Sequence, residues 1–320
     1  AQTFGSLKSA DPGPSWIGYS VPGAPGHQGC CDDCWDDGGR HAGRCRLEDD
    51  HRVSDRKAPA QDTQPTRLEG SGDIRVLWRT ERGEVSRIRV FSEGCALDAG
   101  GLSVHWLTGV KPAESLALLA PFVEPRPDGG RGTMASAAMA AIALHADAGA
   151  DAYLERFAAS SPSLETRKDA VFWMGVARGR RGFESLRRLA RQDPEPRLRE
   201  HVMFALTQSA ESEAVDVLVV AARADASPQV RSQALFWLSQ KAGQRAVSAI
   251  ASAIADDPDT DVKSKAVFAL SQLPKDQGVP LLIEQARGSR NREVRKQALF
   301  WLGQSGDSRA LALFQEILAR

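Results

Sequence analysis

A segment that returns at a fixed interval of 32 residues is the feature that most limits how this chain can fold. The basic residue that marks each copy stands at Arg167, Arg199, Arg231, Lys263 and Arg295. A phenylalanine follows each basic residue five positions later, at Phe172, Phe204, Phe236, Phe268 and Phe300. A period of about 20 to 50 residues is typical of stacked supersecondary units that contact mainly their neighbours. The sequence therefore predicts an array of repeats and not one globular core.

Each copy contains two stretches with helical spacing. One stretch places Val230, Ala234, Trp237 and Leu238 at i, i+4, i+7 and i+8, on a single stripe of a helix. The other stretch centres on an apolar residue that also recurs every 32 residues, at Leu154, Leu186, Leu218, Ile250, Leu282 and Phe314. A Ser or Asp that precedes proline at the breaks is expected to cap a helix, at Ser161, Asp193, Ser227 and Asp257. Because one helix pair cannot bury its stripe alone, neighbouring pairs are predicted to stack.

The inner stretch carries a recognisable pattern. Asp259, Val262, Lys263, Ala266 and Leu270 follow Asp-x-x-Val-Arg-x-x-Ala with its continuation to Ala-Leu, which resembles a HEAT repeat. More narrowly, the sequence resembles the short bacterial type found in phycobilin-lyase-like HEAT proteins. The resemblance covers roughly the last two-thirds of the chain. It implies that the Val-Arg helix lies on the concave side and the other helix on the convex side.

The regularity continues upstream, because Ala138 precedes Ala170 by one interval and residues 111–123 fit a first outer helix. We therefore predict a mainly α fold, an α-solenoid of about six HEAT-like helix pairs over residues 113–304. A terminal helix over residues 308–319 is predicted to cap it. A small antiparallel β module is predicted to precede it.

Three segments are predicted along the chain. They are an irregular leader rich in Cys, Gly and Pro, the β module, and the solenoid, over residues 1–66, 67–110 and 111–320. In the leader, residues 16–22 are the one stretch that fits a strand. In the module, alternating residues predict a hairpin of strands 73–80 and 84–91 around the turn Glu81-Arg82-Gly83, with a third strand over 103–107.

Composition limits the partner and the compartment. Lys plus Arg and Asp plus Glu are equal in number, 41 each, so net charge gives no argument for a nucleic acid or an anionic membrane. No apolar stretch approaches the length of a membrane span. All five cysteines precede residue 96, and the chain begins at Ala1 without a methionine. We expect an extracytoplasmic protein, periplasmic or secreted, after removal of a signal peptide. The layout resembles secreted bacterial HEAT-repeat proteins with a cysteine-bearing leader.

The cysteine cluster has two interpretations. Cys30-Cys31-x-x-Cys34 with Cys45 and nearby histidines could supply a zinc site, but only one C-x-x-C pair occurs. Disulfides are favoured, with a pairing that the sequence does not determine. The candidates are Cys30, Cys31, Cys34, Cys45 and Cys95. No metal site is predicted.

The repeated phenylalanines also have two interpretations. At about 100° per residue, Phe236 points well away from the core stripe of its own helix. Phe172, Phe204, Phe236, Phe268 and Phe300 would then line the concave face and bind a peptide or a partner helix. Alternatively, each ring fills the seam between adjacent inner helices. Trp173, Trp237 and Trp301, which alternate with Ala205 and Ala269, are predicted to lie in the core, large against small.

The basic ladder Arg167, Arg199, Arg231, Lys263 and Arg295 is predicted to be structural. In the family that the sequence resembles, this position pairs with an acidic residue near the start of the same or the neighbouring helix. The carboxylates available there are Glu165, Glu195, Asp261 and Glu293.

The sequence gives no support for catalysis. Relatives of this repeat type attach bilins or hydroxylate a lysine derivative with iron held by His-Glu pairs, but none of the six histidines here is followed by Glu. No nucleophile elbow, Walker loop or dinucleotide glycine pattern occurs. We expect a noncatalytic scaffold or adaptor without a cofactor that binds another protein or peptide on its concave face. The alternatives are a bilin-lyase-like or other small-molecule-handling HEAT protein, or a metal-binding sensor built on the leader cysteines.

Overall fold

A small sheet followed by stacked helices makes up the part of the chain that the computed structural model describes. The described residues are 3–10, 13–25, 44–48, 72–93, 95–124, 133–241 and 244–319. The chain divides into two compact units, Ala1–Gly182 and Phe183–Arg320. No helix in the described ranges is long and apolar enough to cross a membrane. The fold class is the predicted one, an α-solenoid preceded by a β module.

The first unit begins with a mixed sheet. Its strands are β1 Ser15–Pro22, β2 Arg44–Arg46, β3 Asp73–Glu81, β4 Glu84–Ser92, β5 Ala96–Asp98 and β6 Val104–Trp106. Four of them lie in the order β4-β3-β1-β6, and β2 pairs with β5 in a separate parallel ribbon. The prediction of a wholly antiparallel module is wrong at one edge, because β6 runs parallel to β1. After the β3–β4 hairpin the chain crosses back to the far side of β1, which gives β6 the direction of β1.

The hairpin forms as the sequence predicts. Arg82 and Gly83 connect β3 to β4 with φ angles of 53° and 74°. Two positive φ values in a two-residue loop are typical of the turn whose twist matches that of the flanking strands.

Both faces of the sheet are buried. On one face Trp78 of β3 packs edge-on against Phe4 at 5.0 Å and Phe122 at 5.3 Å between ring centroids. On the other face lies a cluster of Trp16, Leu47, Leu77, Phe91 and Cys95. Two segments that were assigned to the leader therefore belong to the folded unit, since β1 lies inside the sheet and Leu47 inside this cluster.

A glutamate from the leader fixes that second face. Glu48 accepts hydrogen bonds from Trp16 Nε1 at 2.7 Å and from Arg79 Nε at 3.1 Å. Arg87 donates to the backbone carbonyls of Leu47 and Glu48 at 3.0 and 2.9 Å. The short segment at 44–48 is thus held by side chains of three different strands.

Cys95 is buried and disulfide-bonded. Of Cys45 the structure describes the backbone, which lies in β2 beside β5. Cys30, Cys31 and Cys34 lie outside the described residues. The pairing of the five cysteines stays a prediction.

Five described helices belong to the first unit. They are α1 Phe4–Ala10, α2 Pro112–Val123, α3 Thr133–Leu144, α4 Gly149–Ser160 and α5 Leu164–Ala177. A buried polar chain ties the helices to the sheet: Tyr19 Oη lies 2.8 Å from Ser115 Oγ, which lies 2.9 Å from His145 Nε2. His145 Nδ1 lies 2.6 Å from the carbonyl oxygen of Ala141. Because that carbonyl can only accept, Nδ1 carries the proton and Nε2 accepts from Ser115.

The remaining helices form two rows. They are α6 Gly179–Gln192, α7 Pro196–Gln208, α8 Ala214–Ala224, α9 Pro228–Lys241, α10 Gln244–Asp256, α11 Thr260–Ser271, α12 Lys275–Gly288, α13 Arg292–Ser305 and α14 Ser308–Leu318. In the second unit α7 packs on α9, α9 on α11 and α11 on α13, which we call the inner row. The outer row comprises α8, α10, α12 and α14. Buried apolar residues at the repeat interval, such as Leu218, Ile250 and Leu282, fill the layer between the rows.

The helix caps differ from the prediction. The residues that accept the first backbone N–H groups of the inner helices are Ser163, Glu195, Ser227, Asp259 and Asn291. Of the predicted caps, Ser227 alone has this role, because Ser161, Asp193 and Asp257 lie two residues earlier, in the loop. The side chain of each of these three residues accepts a hydrogen bond from the backbone N–H of the actual cap residue. It therefore stabilises the turn before the helix and not the first turn of the helix.

Acidification is expected to destabilise the first unit through His145. Burial chiefly, together with the Arg178 charge, lowers the pKa of His145 from 6.5 to about 4. The folded state favours the neutral His145 ring. The stability that His145 contributes above pH 6.5 is therefore lost as the pH falls toward 4. Between pH 6.5 and 4.5 this amounts to roughly 2 to 3 kcal/mol of unfolding free energy, measured by urea denaturation at each pH. His145→Gln should flatten that dependence; an unchanged slope would contradict the assignment.

Candidate interaction face

A line of aromatic rings crosses the inner row of the second unit. We call it the aromatic ladder, and its members are Phe204, Phe236, Trp237, Phe268, Phe300 and Trp301. Ring centroids are 5.1 Å apart between Phe204 and Trp237, 6.1 Å between Phe236 and Phe268, and 5.0 Å between Phe268 and Trp301. Each of these contacts joins two neighbouring helices. Phe236–Trp237 and Phe300–Trp301 complete the line within their own helices, at 4.8 and 5.0 Å.

The ladder has features of both interpretations of the phenylalanines, packing in the seam between helices and exposure on a face. Phe204, Phe236 and Phe268 each contact an aromatic ring of the next inner helix, as seam packing requires. None of the ladder residues is buried. Phe300 is 53% exposed and the others are partly exposed. In the first unit Phe172 and Trp173 of α5 are also partly exposed, with their rings 5.4 Å apart.

The tryptophans do not lie in the core as predicted. Trp173, Trp237 and Trp301 are partly exposed, whereas the buried positions beside them are Leu238 and Leu302. Trp237 and Trp301 lie against the phenylalanine of the preceding helix, Phe204 and Phe268. Those preceding helices carry the small residues Ala205 and Ala269 next to the phenylalanine, which explains the 64-residue alternation.

A row of glutamines runs beside the ladder, and the sequence analysis missed it. It consists of Gln208, Gln240, Gln272 and Gln304, each four residues after a ladder phenylalanine. Residues four apart lie on the same face of a helix, so every glutamine stands beside its phenylalanine. The 32-residue interval between these glutamines is the signal in the sequence that indicates the row.

Three of the glutamines make the same hydrogen-bond relay. The Nε2 groups of Gln208, Gln240 and Gln272 donate to the hydroxyl of the preceding residue at 3.0, 3.5 and 3.1 Å. That hydroxyl donates in turn to the carbonyl oxygen of the ladder phenylalanine, at 2.6 Å for Thr207 and Ser239 and 2.7 Å for Ser271. The relay holds each carboxamide in one orientation.

A cavity opens next to the last rungs. It lies among α11, α12 and α13, has a volume of about 220 Å³ and is lined by Leu270, Val279, Leu282 and Trp301. Gln272 and Gln304 also line it. An apolar pocket with two carboxamides is therefore continuous with the ladder.

The basic ladder is structural in the second unit, but its carboxylate partners differ from those predicted. Arg199 makes two hydrogen bonds to Asp225 at 2.9 and 2.8 Å, and Arg231 makes two to Asp257 at 2.7 and 2.9 Å. Each arginine also donates to the backbone carbonyl of the preceding loop, at Asp193 and Asp225. The partner carboxylates stand in loops and not at the start of the inner helix. Each arginine side chain extends from its inner helix to two loops, the one before that helix and the corresponding loop of the next repeat.

The other members of the basic ladder bind backbone carbonyls. Arg167 donates to Ala158 at 2.6 Å, Lys263 to Ala255 at 2.7 Å and Arg295 to Ser289 at 2.7 Å. These carbonyls lie at the end of, or just after, an outer-row type helix, where the last carbonyl groups have no N–H donor within the helix.

Within each of the two arginine–aspartate pairs, the partners shift each other's pKa. Burial alone would raise the pKa of Asp225 and of Asp257, but hydrogen bonds from Arg199 and Arg231 outweigh it and hold both values below the ordinary range. Hydrogen bonds from the same carboxylates raise the pKa of Arg199 and Arg231. Both pairs are therefore ionised at neutral pH.

The histidines are scattered. His145 is buried in the first unit, His105 lies on β6, and the His201 ring lies 5.6 Å from that of Phe204. His27, His41 and His51 fall outside the described residues. Where the structure describes side chains, it brings together no group of three or more His, Cys, Asp or Glu residues that could hold a metal ion.

The helix pairs match a known repeat. The family model of HEAT repeats matches residues 152–239, 217–298 and 247–320. The chain belongs to the HEAT-repeat family. No curated protein sequence matches it. Among solved structures, human deoxyhypusine hydroxylase in complex with glycerol is similar to this HEAT protein at 19% identity, over 60% of this chain and 74% of that chain, with a TM-score of 0.33.

Removing one partner of a buried pair should destabilise the HEAT repeats strongly. Arg231→Met leaves the Asp257 carboxylate buried without its cation, which we expect to lower the free energy of unfolding by about 3 to 5 kcal/mol. Arg245 and Asp216 form an exposed ion pair on the surface with a single hydrogen bond of 2.6 Å, so Arg245→Met is the control for loss of an exposed pair, with an expected change within about 0.5 kcal/mol. Urea denaturation of both variants measures the difference. Equal effects would show that the buried pair has no special role.

Proposed function

We propose that this HEAT-repeat protein is a noncatalytic scaffold or adaptor that binds another protein or peptide along the aromatic ladder. HEAT repeats generally mediate protein–protein interaction. The observation that carries the proposal is a ladder of partly exposed rings across four successive helices. Water-exposed apolar surface of this kind is uncommon in a protein without a partner, and aromatic side chains dominate the binding energy of interfaces.

The cavity beside Trp301 measures about 220 Å³, whereas pockets that enclose drug-sized ligands measure about 300 to 1,000 Å³. The metal-sensor alternative depends on cysteines of which most lie outside the described residues.

A matched set of variants tests the ladder. The test variant combines Phe204→Ser, Phe236→Ser and Phe268→Ser, and the control combines the exposed outer-row changes Val220→Ser, Leu311→Ser and Ile317→Ser. Circular dichroism first establishes that both remain helical. Partners captured from an envelope extract by the parent are then titrated against all three proteins.

We expect the control to bind like the parent and the test variant to bind at least about tenfold more weakly, because interface rings are hot spots. Equal binding by all three proteins would place the partner elsewhere on the chain. Should the triple variant unfold, Phe300→Ser replaces it, since that ring is already 53% exposed.

We further propose an extracytoplasmic location, the phycobilin-lyase-like bacterial type, and leader cysteines joined in disulfides. The burial of Cys95 beside the β2–β5 ribbon supports the last point. Cell fractionation tests the location: recovery with cytoplasmic markers would contradict it.

The disulfides are tested by thiol labelling. Two bridges protect four of the five cysteines, so alkylation of the denatured, unreduced protein should modify about one cysteine per chain. Mass spectrometry counts the labels. Labelling of three or more cysteines, with zinc found in the purified protein, would favour the metal site instead.

A further inference from the structure

A lysine of this chain lies in the seam between two inner helices, near their carboxyl ends. Lys241 is the last residue of α9 and is partly buried, and its Nζ donates to the backbone carbonyl oxygen of Thr207 on α7 at 2.8 Å. That carbonyl is among the last of α7, which have no N–H donor within the helix. The lysine stem leaves α9 on the same face as Trp237, because residues four apart lie on one face of a helix. The α7–α9 seam therefore holds an alkylammonium group beside a tryptophan and the carboxyl end of a helix.

The cavity lies at the corresponding place two repeat intervals later. Ser271 of α11 corresponds to Thr207, and Ser305, the last residue of α13, corresponds to Lys241. Both serines line the cavity together with Trp301. The Ser305 hydroxyl donates to a carbonyl oxygen of its own helix at 2.7 Å and does not extend across the seam as the lysine does. Serine in place of lysine at this position therefore accounts for the cavity in the α11–α13 seam.

The groups that line the cavity suit an alkylammonium group. Leu270, Val279 and Leu282 provide an apolar wall for a methylene stem, and Trp301 provides an aromatic ring of the kind that attracts cations. The backbone carbonyl of Ser271 provides an acceptor at the carboxyl end of α11, where the helix dipole is negative. A cavity of about 150 Å³ can hold benzene, so one of about 220 Å³ has room for a four-carbon stem and its ammonium group.

Two carboxamides and one cation complete the lining. Gln272 donates from Nε2 to the hydroxyl of Ser271 at 3.1 Å, which leaves its side-chain carbonyl oxygen to accept from a ligand. Gln304 supplies a second carboxamide. Lys275 also lines the cavity and is exposed, and its charge opposes the binding of another cation. Removal of that charge should therefore strengthen the binding of a cation.

We propose that the cavity among α11, α12 and α13 is a subsite for one lysine side chain of a bound polypeptide. The methylene stem lies against Trp301, and the ammonium group donates to the backbone carbonyl oxygen of Ser271, as Lys241 does to Thr207 within the chain. The inference rests on the proposed docking function and names a side chain that the partner carries.

A selection from a displayed library of short random peptides, made with the full chain, tests the subsite. We expect enrichment of peptides that share one lysine. Each selected peptide is then synthesised with lysine or with norleucine at that position, since norleucine keeps the stem and lacks the ammonium group. Calorimetric titration should show at least about tenfold weaker binding of the norleucine peptide, because the charged hydrogen bond is lost. A norleucine peptide that binds equally well or better overturns the proposal, since an apolar stem would then suffice.

A variant that fills the cavity tests the location. Ser305→Lys places a lysine at the position that corresponds to Lys241, so the chain's own side chain should occupy the cavity and weaken the binding of the lysine peptides at least about tenfold. Ser248→Lys adds the same charge at an exposed position of α10 and is the matched control, which should bind like the parent. Equal affinity of the parent and the Ser305→Lys variant would place the lysine elsewhere and overturn the proposal.

A second variant keeps the proposal testable if Ser305→Lys fails to fold. Lys275→Glu changes an exposed residue to the type that stands two repeat intervals earlier, at Glu211, and should strengthen the binding of the lysine peptides about threefold or more. Unchanged or weaker binding contradicts a bound cation. A selection that enriches no shared lysine also overturns the subsite, and the titration of captured partners against the phenylalanine variants then decides the proposed docking separately.

Discussion

Two arginines, Arg199 and Arg231, link successive loops of the second unit. Arg199 joins the loop at Asp193 to the loop at Asp225, and Arg231 joins Asp225 to Asp257. The Asp225 loop therefore receives Arg199 on its carboxylate and Arg231 on its backbone carbonyl. A planar guanidinium with five donors can make both sets of bonds at once, which a lysine cannot. Each of the two arginines thus links the loops of two successive repeats.

Periodicity made the helix pairs predictable, because burying one stripe per helix requires the same apolar positions in every copy. It predicted the hairpin for a similar reason, since Arg82 and Gly83 sit where the alternation stops. The predicted caps and carboxylate partners are wrong because Asp193 and Asp257 have a side chain suited to a cap but stand two residues before the actual cap, where an arginine reaches them. Sequence alone does not say which of two nearby polar residues meets the backbone and which meets a side chain.

The sheet shows a different limit. Residues 16–22 have the composition of a strand, but residues 23–72 separate this segment from its partner β3, which begins at Asp73. Non-local pairing leaves no local signature, so a strand inside the sheet was assigned to a leader. The direction of β6 is not predictable for the same reason, since a strand of three residues does not indicate which neighbouring strand it pairs with.

Side chains recur at the repeat interval in this chain for two different reasons, and the exposure of the side chain distinguishes them. The arginine at each repeat is repeated because an unpaired aspartate in the loop would be costly, so packing alone explains Arg199 and Arg231. The phenylalanine and glutamine positions are repeated although Phe300 and Gln304 are exposed, where most residues would be tolerated. Contacts between rings of neighbouring helices account for part of this repetition, as between Phe236 and Phe268. The exposed part of each ring is the surface that the proposed docking function would use.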